Sequence, residues 1–227
     1  MTYPSYILVS GGSGGIGSAL CRLLPSSGFK PIVGYRGNRE QAEMLALECG
    51  GFAVKLDLAH DESIAQALAQ ISEQLVGAGN ISGVVLAASP PPDLLPFGKL
   101  TPEILSYQLR INVVGSQLLL AGLIKTYFRK TKSGVVIGIL SEAMGDSSHP
   151  PVTGMGAYVI AKTALRGMLA VCAAEYPWLY VRTVSPGFTQ TRMLEVFDER
   201  YLEQMQTKTP FARPEDVARL ILEEIVS

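Results

Sequence analysis

Ser10-Gly11-Gly12-Ser13-Gly14-Gly15-Ile16-Gly17 is the stretch that decides the fold. It follows the apolar run Tyr6-Ile7-Leu8-Val9 and leads into Ser18-Ala19-Leu20-Cys21-Arg22-Leu23-Leu24, whose apolar spacing is helical. A glycine-dense turn between a strand and a helix lets the backbone come close to a pyrophosphate, with its amides and the positive end of the helix dipole turned toward the anion. Two registers fit: Gly12, Gly14 and Gly17 spell G-x-G-x-x-G, while Gly11, Gly15 and Gly17 spell G-x-x-x-G-x-G. A flexible glycine turn without a ligand is the simpler alternative, so the rest of the chain has to decide.

Outward from this turn, strand-like and helix-like patterns alternate without a linker, repeat or low-complexity tract. Strands are predicted over 6–10, 30–35, 52–57, 81–88, 134–141 and 179–185; helices over 15–27, 39–49, 61–77, 102–129, 156–176, 192–207 and 214–226. Such β-α alternation predicts an α/β fold: one Rossmann-type, doubly wound parallel sheet with helices on both faces, spanning 1–227 as one domain. Ligands of such sheets gather at the carboxyl ends of the strands, which makes the residues after each strand the ones to read. The chain has 227 residues, 48% of them apolar, enough for a large shared core. With 19 basic and 20 acidic residues and no basic block, it lacks the electrostatic footprint of a nucleic-acid binder. Cys21, Cys49 and Cys172 show no C-x-x-C spacing and read as buried thiols of a reducing, cytoplasmic compartment. Neither a secretion signal nor a membrane span is expected, because the apolar stretch from Val113 to Ile124 is broken by Gly115, Ser116, Gln117 and Gly122.

Tyr158-Val159-Ile160-Ala161-Lys162 is the second strong feature. On a helix, side chains four apart share a face, which puts the Lys162 ammonium near the Tyr158 phenol. A free phenol has a pKa of about 10, and a neighbouring cation favours the phenolate, so the pair makes a workable acid/base. An ordinary Tyr and Lys on an amphipathic helix share this spacing. Here, however, the pair follows Ser141 at the end of a predicted strand, where a hydroxyl can hydrogen-bond a carbonyl beside the phenol.

These motifs together resemble the short-chain dehydrogenase/reductase family, over nearly the whole chain. The resemblance is carried by Ser10-Gly11-x-x-x-Gly15-Ile16-Gly17, Asp57, Asn112, Ser141, Tyr158-x-x-x-Lys162 and Pro186-Gly187-x-x-x-Thr191, six motifs in family order. It implies an oxidoreductase that moves a hydride between a nicotinamide cofactor and a ketone or secondary alcohol, like the family's NADPH-dependent ketoreductases such as the 3-oxoacyl-carrier-protein reductases. By the same resemblance Tyr158 is the general acid/base and Ser141 holds the substrate oxygen. Lys162 binds the nicotinamide ribose and lowers the Tyr158 pKa, and Asn112 supports a water-linked proton relay through Lys162. Gly11, Ser13, Gly15, Ile16 and Gly17 form the phosphate turn. Asp57 and Leu58 meet the adenine end, Ala87 the turn after the fourth strand, and Pro186, Gly187, Thr189 and Thr191 the nicotinamide. A noncatalytic nucleotide-sensing or scaffold protein of the same fold is the alternative, against which the complete tetrad argues.

Three departures from the family stand out. Leu86-Ala87-Ala88-Ser89 replaces its Asn-Asn-Ala-Gly, losing the asparagine side chains; the segment between Ser141 and Tyr158 is longer and contains Ser147 and Ser148; and the chain stops at Ser227 without the family's seventh strand. The last of these leads to the expectation of a homodimer rather than a tetramer, built on 102–129 and 156–176 through Leu118, Leu119, Ala121, Gly122, Ala164, Leu165, Met168 and Leu169. Arg36 ends the second strand, where an NAD-binding chain carries a carboxylate for the ribose diol; its charge and fork suit a 2′-phosphate, so NADP is favoured over NAD, with Arg39 as an assistant. His60 and His149 lack converging partners, and no metal site is expected. Phe188, Met193, Leu194 and Phe197 suggest a carbonyl on an apolar body, although a packed amphipathic helix explains the same spacing.

Overall fold

Gly11 stands at the centre of a six-stranded parallel sheet ordered β3-β2-β1-β4-β5-β6, in a computed structural model that describes residues 4–227. The strands are β1 (Ser5–Ser10), β2 (Phe29–Tyr35), β3 (Phe52–Lys55), β4 (Asn80–Leu86), β5 (Val135–Ile139) and β6 (Tyr180–Val184). The chain winds outward from β1 to β3 and then returns to place β4 on the other side of β1. The carboxyl ends of β1 and β4 therefore flank the point where the winding reverses, the crevice in which doubly wound sheets bind ligands.

Alternation along each strand feeds two separate cores. Leu8, Ile32, Val84 and Val136 face α3 (Asp61–Leu75), a long helical rod and α7 (Gly156–Glu175). Their neighbours Ile7, Val9, Val33, Val85 and Ile137 face α1 (Gly15–Leu23), α2 (Arg39–Glu48) and α9 (Pro214–Val226). Period-two strands buried on both faces leave little room for polar side chains within β1 or β4, and the functional residues fall at or beyond the strand ends.

The rod runs continuously from Pro102 to Thr131. Thr101 accepts the Ile104 amide as its cap and Pro102 occupies the first turn. The rod is composed of α4 (Pro102–Leu109), a π-helical turn (Arg110–Gly115), α5 (Ser116–Leu123), a second π-helical turn (Ile124–Phe128) and α6 (Arg129–Thr131). The rod and α7 are long and apolar enough to cross a membrane by composition alone, with mean hydropathy of 1.3 and 1.4, yet each turns a buried face to the sheet core.

Several element boundaries differ from the sequence reading. The predicted helix over 192–207 is two pieces, a 3-10 segment (Arg192–Val196) and α8 (Glu199–Lys208), because Asp198 turns back to accept the Arg200 and Tyr201 amides and starts a new helix. β4 ends at Leu86 and β5 at Ile139, so Ser141 lies two residues beyond its strand. Leu119, Leu165 and Leu169, expected at a subunit contact, are buried in the core of their own chain at 0–1% exposure. Ala121 is exposed, and Leu118 and Met168 are half-buried against that core.

Candidate active site

The glycine turn holds its shape for identifiable reasons. Gly11 has φ +67°, and a Cβ there would meet Ala88 Cα at 2.9 Å, so the turn after β1 touches the turn after β4 backbone to backbone. A Cβ on Gly15 would strike Thr191 Cγ2 at 2.4 Å, which brings the loop after β6 directly over the first turn of α1. Ser13 is half-buried and Ile16 packs on the α1 face core. Gly11, Gly15, Ala88 and Thr191 thus meet from three different loops.

Ser10, quoted in the motif but given no role from sequence, joins these loops. Its buried hydroxyl donates to Val85 O at 3.3 Å and accepts from the Ala87 and Ala88 amides at 3.1 and 3.3 Å. The support lost with the family's asparagines is supplied here from the neighbouring strand. The signal was a serine at the last position of a buried strand, where polar side chains need a reason to be.

At the adenosine end, Asp57 lies just after β3 and accepts the Ala59 amide at 3.0 Å, while Ser63 Oγ accepts the Asp57 amide at 3.0 Å. Leu58 is buried in the core beneath it. Arg36 is exposed beyond β2 and reaches the Tyr107 hydroxyl on α4 at 3.4 Å, with no ion pair among the described residues. Arg39, one loop further on, pairs through Nε with Glu43 one turn along α2 at 2.7 Å.

Ser141 starts a 3-10 turn (Glu142–Met144), and its Oγ accepts the Ala143 amide at 3.1 Å. Its hydroxyl also faces the Tyr158 phenol on the first turns of α7, near enough to favour the ionised form. Ser147 and Ser148 point away in a loop closed on Asp146, which accepts the Ser148 and His149 amides at 2.7 and 2.8 Å. His149 and His60 are exposed beside Asp146 and Asp57, and no group of three metal-ligating side chains forms among the described residues.

Lys162, one turn on from Tyr158, is 2% exposed and donates to Ile139 O at 2.8 Å, with Nζ 5.6 Å from the centre of the Tyr158 ring. Burial holds its pKa down to about 7. Burial also pushes the Tyr158 phenol up from its ordinary value, and the neighbouring Ser141 hydroxyl brings it only part of the way back. Lys162 is not among the groups that shift the phenol here; its Nζ is turned to a main-chain carbonyl.

Asn112 sits in the π-helical turn that packs against α7. The widened backbone is matched by Ser116 Oγ donating back five residues to Ile111 O. Asn112 Nδ2 donates to Gln108 O and Oε1 at 3.1 and 3.2 Å, while its fully buried Oδ1 has no partner. An orphaned buried acceptor calls for an occupant. Thr189 is buried and donates to Gly187 O at 3.1 Å; Thr191 caps the following 3-10 segment.

Comparison with known proteins agrees with this assembly. Residues 5–201 match the short chain dehydrogenase family profile. The 3-oxoacyl-[acyl-carrier-protein] reductase of Bos taurus is 30% identical over 216 residues, covering 93% of this chain and 86% of that protein. Among solved structures, the angucycline C-6 ketoreductase LanV with bound NADP superposes with a TM-score of 0.85 at 19% identity, over 98% of this chain and 91% of that one. The 3-ketoacyl-(acyl-carrier-protein) reductase of Brucella melitensis complexed with NADH gives 0.83 at 20%, over 97% and 90%. At those identities the two structures establish the fold alone.

Proposed function

The chain belongs to the short chain dehydrogenase family, and from that membership we propose that it is an NADP(H)-linked ketoreductase, one cofactor-binding and catalytic domain spanning residues 1–227. The observation that carries the reading is the grouping of the Ser141 hydroxyl, the Tyr158 phenol and the buried Lys162 on two adjacent elements at the carboxyl edge of the sheet.

A nicotinamide dinucleotide suits the residues present. Gly11, Ser13, Gly15, Ile16 and Gly17 would cradle the pyrophosphate; Asp57, Leu58 and Ala87 would line the adenosine side, and Pro186, Gly187, Thr189 and Thr191 the nicotinamide side. When bound, the cofactor supplies or takes the hydride. Ser141 holds the carbonyl oxygen, and Tyr158 delivers its proton to that oxygen in reduction or removes it in oxidation. A phenol raised by burial is protonated at neutral pH and so carries the proton that reduction requires. Lys162 uses one of its three donors on Ile139 O, leaving two for the nicotinamide ribose and for a water that the orphaned Asn112 Oδ1 would hold. Arg36, without an ion pair among the described residues, is the group that favours a 2′-phosphate.

The test is oxidation of NADPH by the purified protein against a panel of ketones. Turnover supports the enzyme; nucleotide binding with no turnover of any ketone or alcohol returns the reading to a sensor or scaffold. We also propose a homodimer formed through the rod and α7. Val114, Ile160 and Val171 are 44%, 37% and 58% exposed there and support such a face. Light scattering on the eluting peak should give twice the chain mass at micromolar concentration; a monomer or a stable tetramer refutes it. Both helices turn a buried face to the sheet core, which supports a soluble cytoplasmic enzyme.

A further inference from the structure

Glu142 was given no role from sequence, yet it stands at the centre of the candidate site. Its amide donates to Pro186 O at 3.0 Å, tying the Ser141 turn to the Pro186-Gly187 turn. Its carboxylate lies over Gly187, where a Cβ would meet Oε2 at 2.6 Å. An exposed carboxylate is thereby placed between the residue proposed to hold the carbonyl oxygen and the loop on the nicotinamide side.

A cavity of about 550 Å³ lies between the loop after β4, the segment before α7 and the start of α8. Leu94, Leu95, Val152, Phe197 and Tyr201 supply most of its wall. The Val152 amide donates to Ala143 O at 3.0 Å, and Leu95 pairs with Gly154 at 2.8 Å, so the wall runs from the Ser141 turn into α7 and Tyr158. Phe197 stacks on Tyr201 at 5.7 Å and meets Phe188 edge-on at 5.5 Å, which makes the far wall a braced aromatic unit. No Lys, Arg or His lines the cavity. Its one charged residue, Asp198, is engaged in capping α8 through the Arg200 and Tyr201 amides.

We propose that the substrate is an uncharged ketone with an apolar body, and that Glu142 excludes ketones carrying a carboxylate next to the carbonyl. This rests on the ketoreductase reading and names its substrate class. The apolar cavity takes the body; the Glu142 carboxylate, with no cation lining the cavity and Lys162 turned to Ile139 O, repels a second negative charge brought beside Ser141.

The matched probes are 4-phenylbutan-2-one and 2-oxo-4-phenylbutanoate, which differ by a methyl group against a carboxylate. Binding of each to the NADP-saturated protein is measured by calorimetry, and reduction of each with NADPH is followed separately. The neutral ketone is expected to bind at least about tenfold more tightly, with Glu142→Gln narrowing that gap to about threefold or less. Leu94→Arg, a change at a 40% exposed position, should raise affinity for the anionic probe about tenfold. Equal binding of the two probes, a gap that Glu142→Gln leaves unchanged, or binding of neither overturns the proposal. Discriminating binding without any NADPH oxidation would instead refute the ketoreductase reading, whereas turnover of both probes without preference would refute the substrate class alone.

Discussion

Lys162→Met separates the electrostatic burden of the site from its chemistry. The lysine is fully enclosed, and burial lowers its pKa from 10.5 to about 7. Between those two values the unfolded chain binds a proton that the folded chain does not, so stability rises with pH. Below pH 7 both states are protonated, and the cost of a buried cation is at its full extent. Working between the two values, the lysine costs the folded state about 4 kcal/mol at pH 7 and about 1.5 kcal/mol at pH 9.5, a change of about 3 kcal/mol. Methionine keeps the aliphatic stem and removes the charge. It also leaves Ile139 O without its donor, a loss of about 1–3 kcal/mol that does not depend on pH. Urea unfolding of both proteins at pH 7.0, 8.25 and 9.5 reads the difference directly. The stability of the Met variant relative to the parent should fall by about 3 kcal/mol across the series. A difference that stays constant with pH would refute the reasoning, because it would mean that Lys162 titrates alike in the folded and unfolded chain.

Tyr158→Phe keeps the ring and removes the transferable proton, so ketone turnover should fall by about 10²–10⁴ with nucleotide binding retained; near-normal reduction by the folded variant would remove Tyr158 from the role. Arg36→Asp should weaken NADPH far more than NADH and shrink or reverse their kcat/KM ratio; an unchanged ratio would mean that Arg36 does not read the phosphate. Gly11→Ala forces a Cβ into a left-handed backbone and against Ala88 Cα, and should cost more than about 1 kcal/mol in a denaturation titration. An unaltered midpoint would contradict the backbone contact described here.

The sheet and the order of its elements were legible because both rest on local chemistry. Alternation in Tyr6-Ile7-Leu8-Val9, the glycine run and the Thr101-Pro102 cap each specify their own few residues. The two π-helical turns were not legible. Each widens the rod and rotates the apolar stripe that follows, so a uniform 3.6-residue period loses track of which leucines face inward; Leu119 was thus expected at an outer surface when it is core, whereas Leu165, on the regular helix α7, is core because that face of α7 packs on the sheet. Tyr158, Lys162, Ser141 and Asn112 could be named because the spacing of Tyr158 and Lys162 and the order of motifs both survive in one dimension. Glu142 and Ser10 could not, since their partners Gly187 and Ala88 are 45 and 78 residues away and meet them only after the strands pair. Likewise, the direction of the Tyr158 shift depends on how deeply the phenol itself is enclosed, which no i, i+4 spacing conveys.

The Ser10 hydroxyl bears on how the molecule comes apart. β3 and β6 are the sheet's outer strands and each has a neighbour on one side only, so thermal opening should begin there and move inward. The Ala87 and Ala88 amides lie past the end of β4, in a segment that would ordinarily exchange with solvent as freely as any loop. Because both are bonded to a side chain rooted in the central strand, they should exchange on the timescale of the sheet's interior. The crevice floor would then survive fluctuations that loosen its rim, with the loop after β6 lifting from Gly15 while the turn beneath it keeps its form.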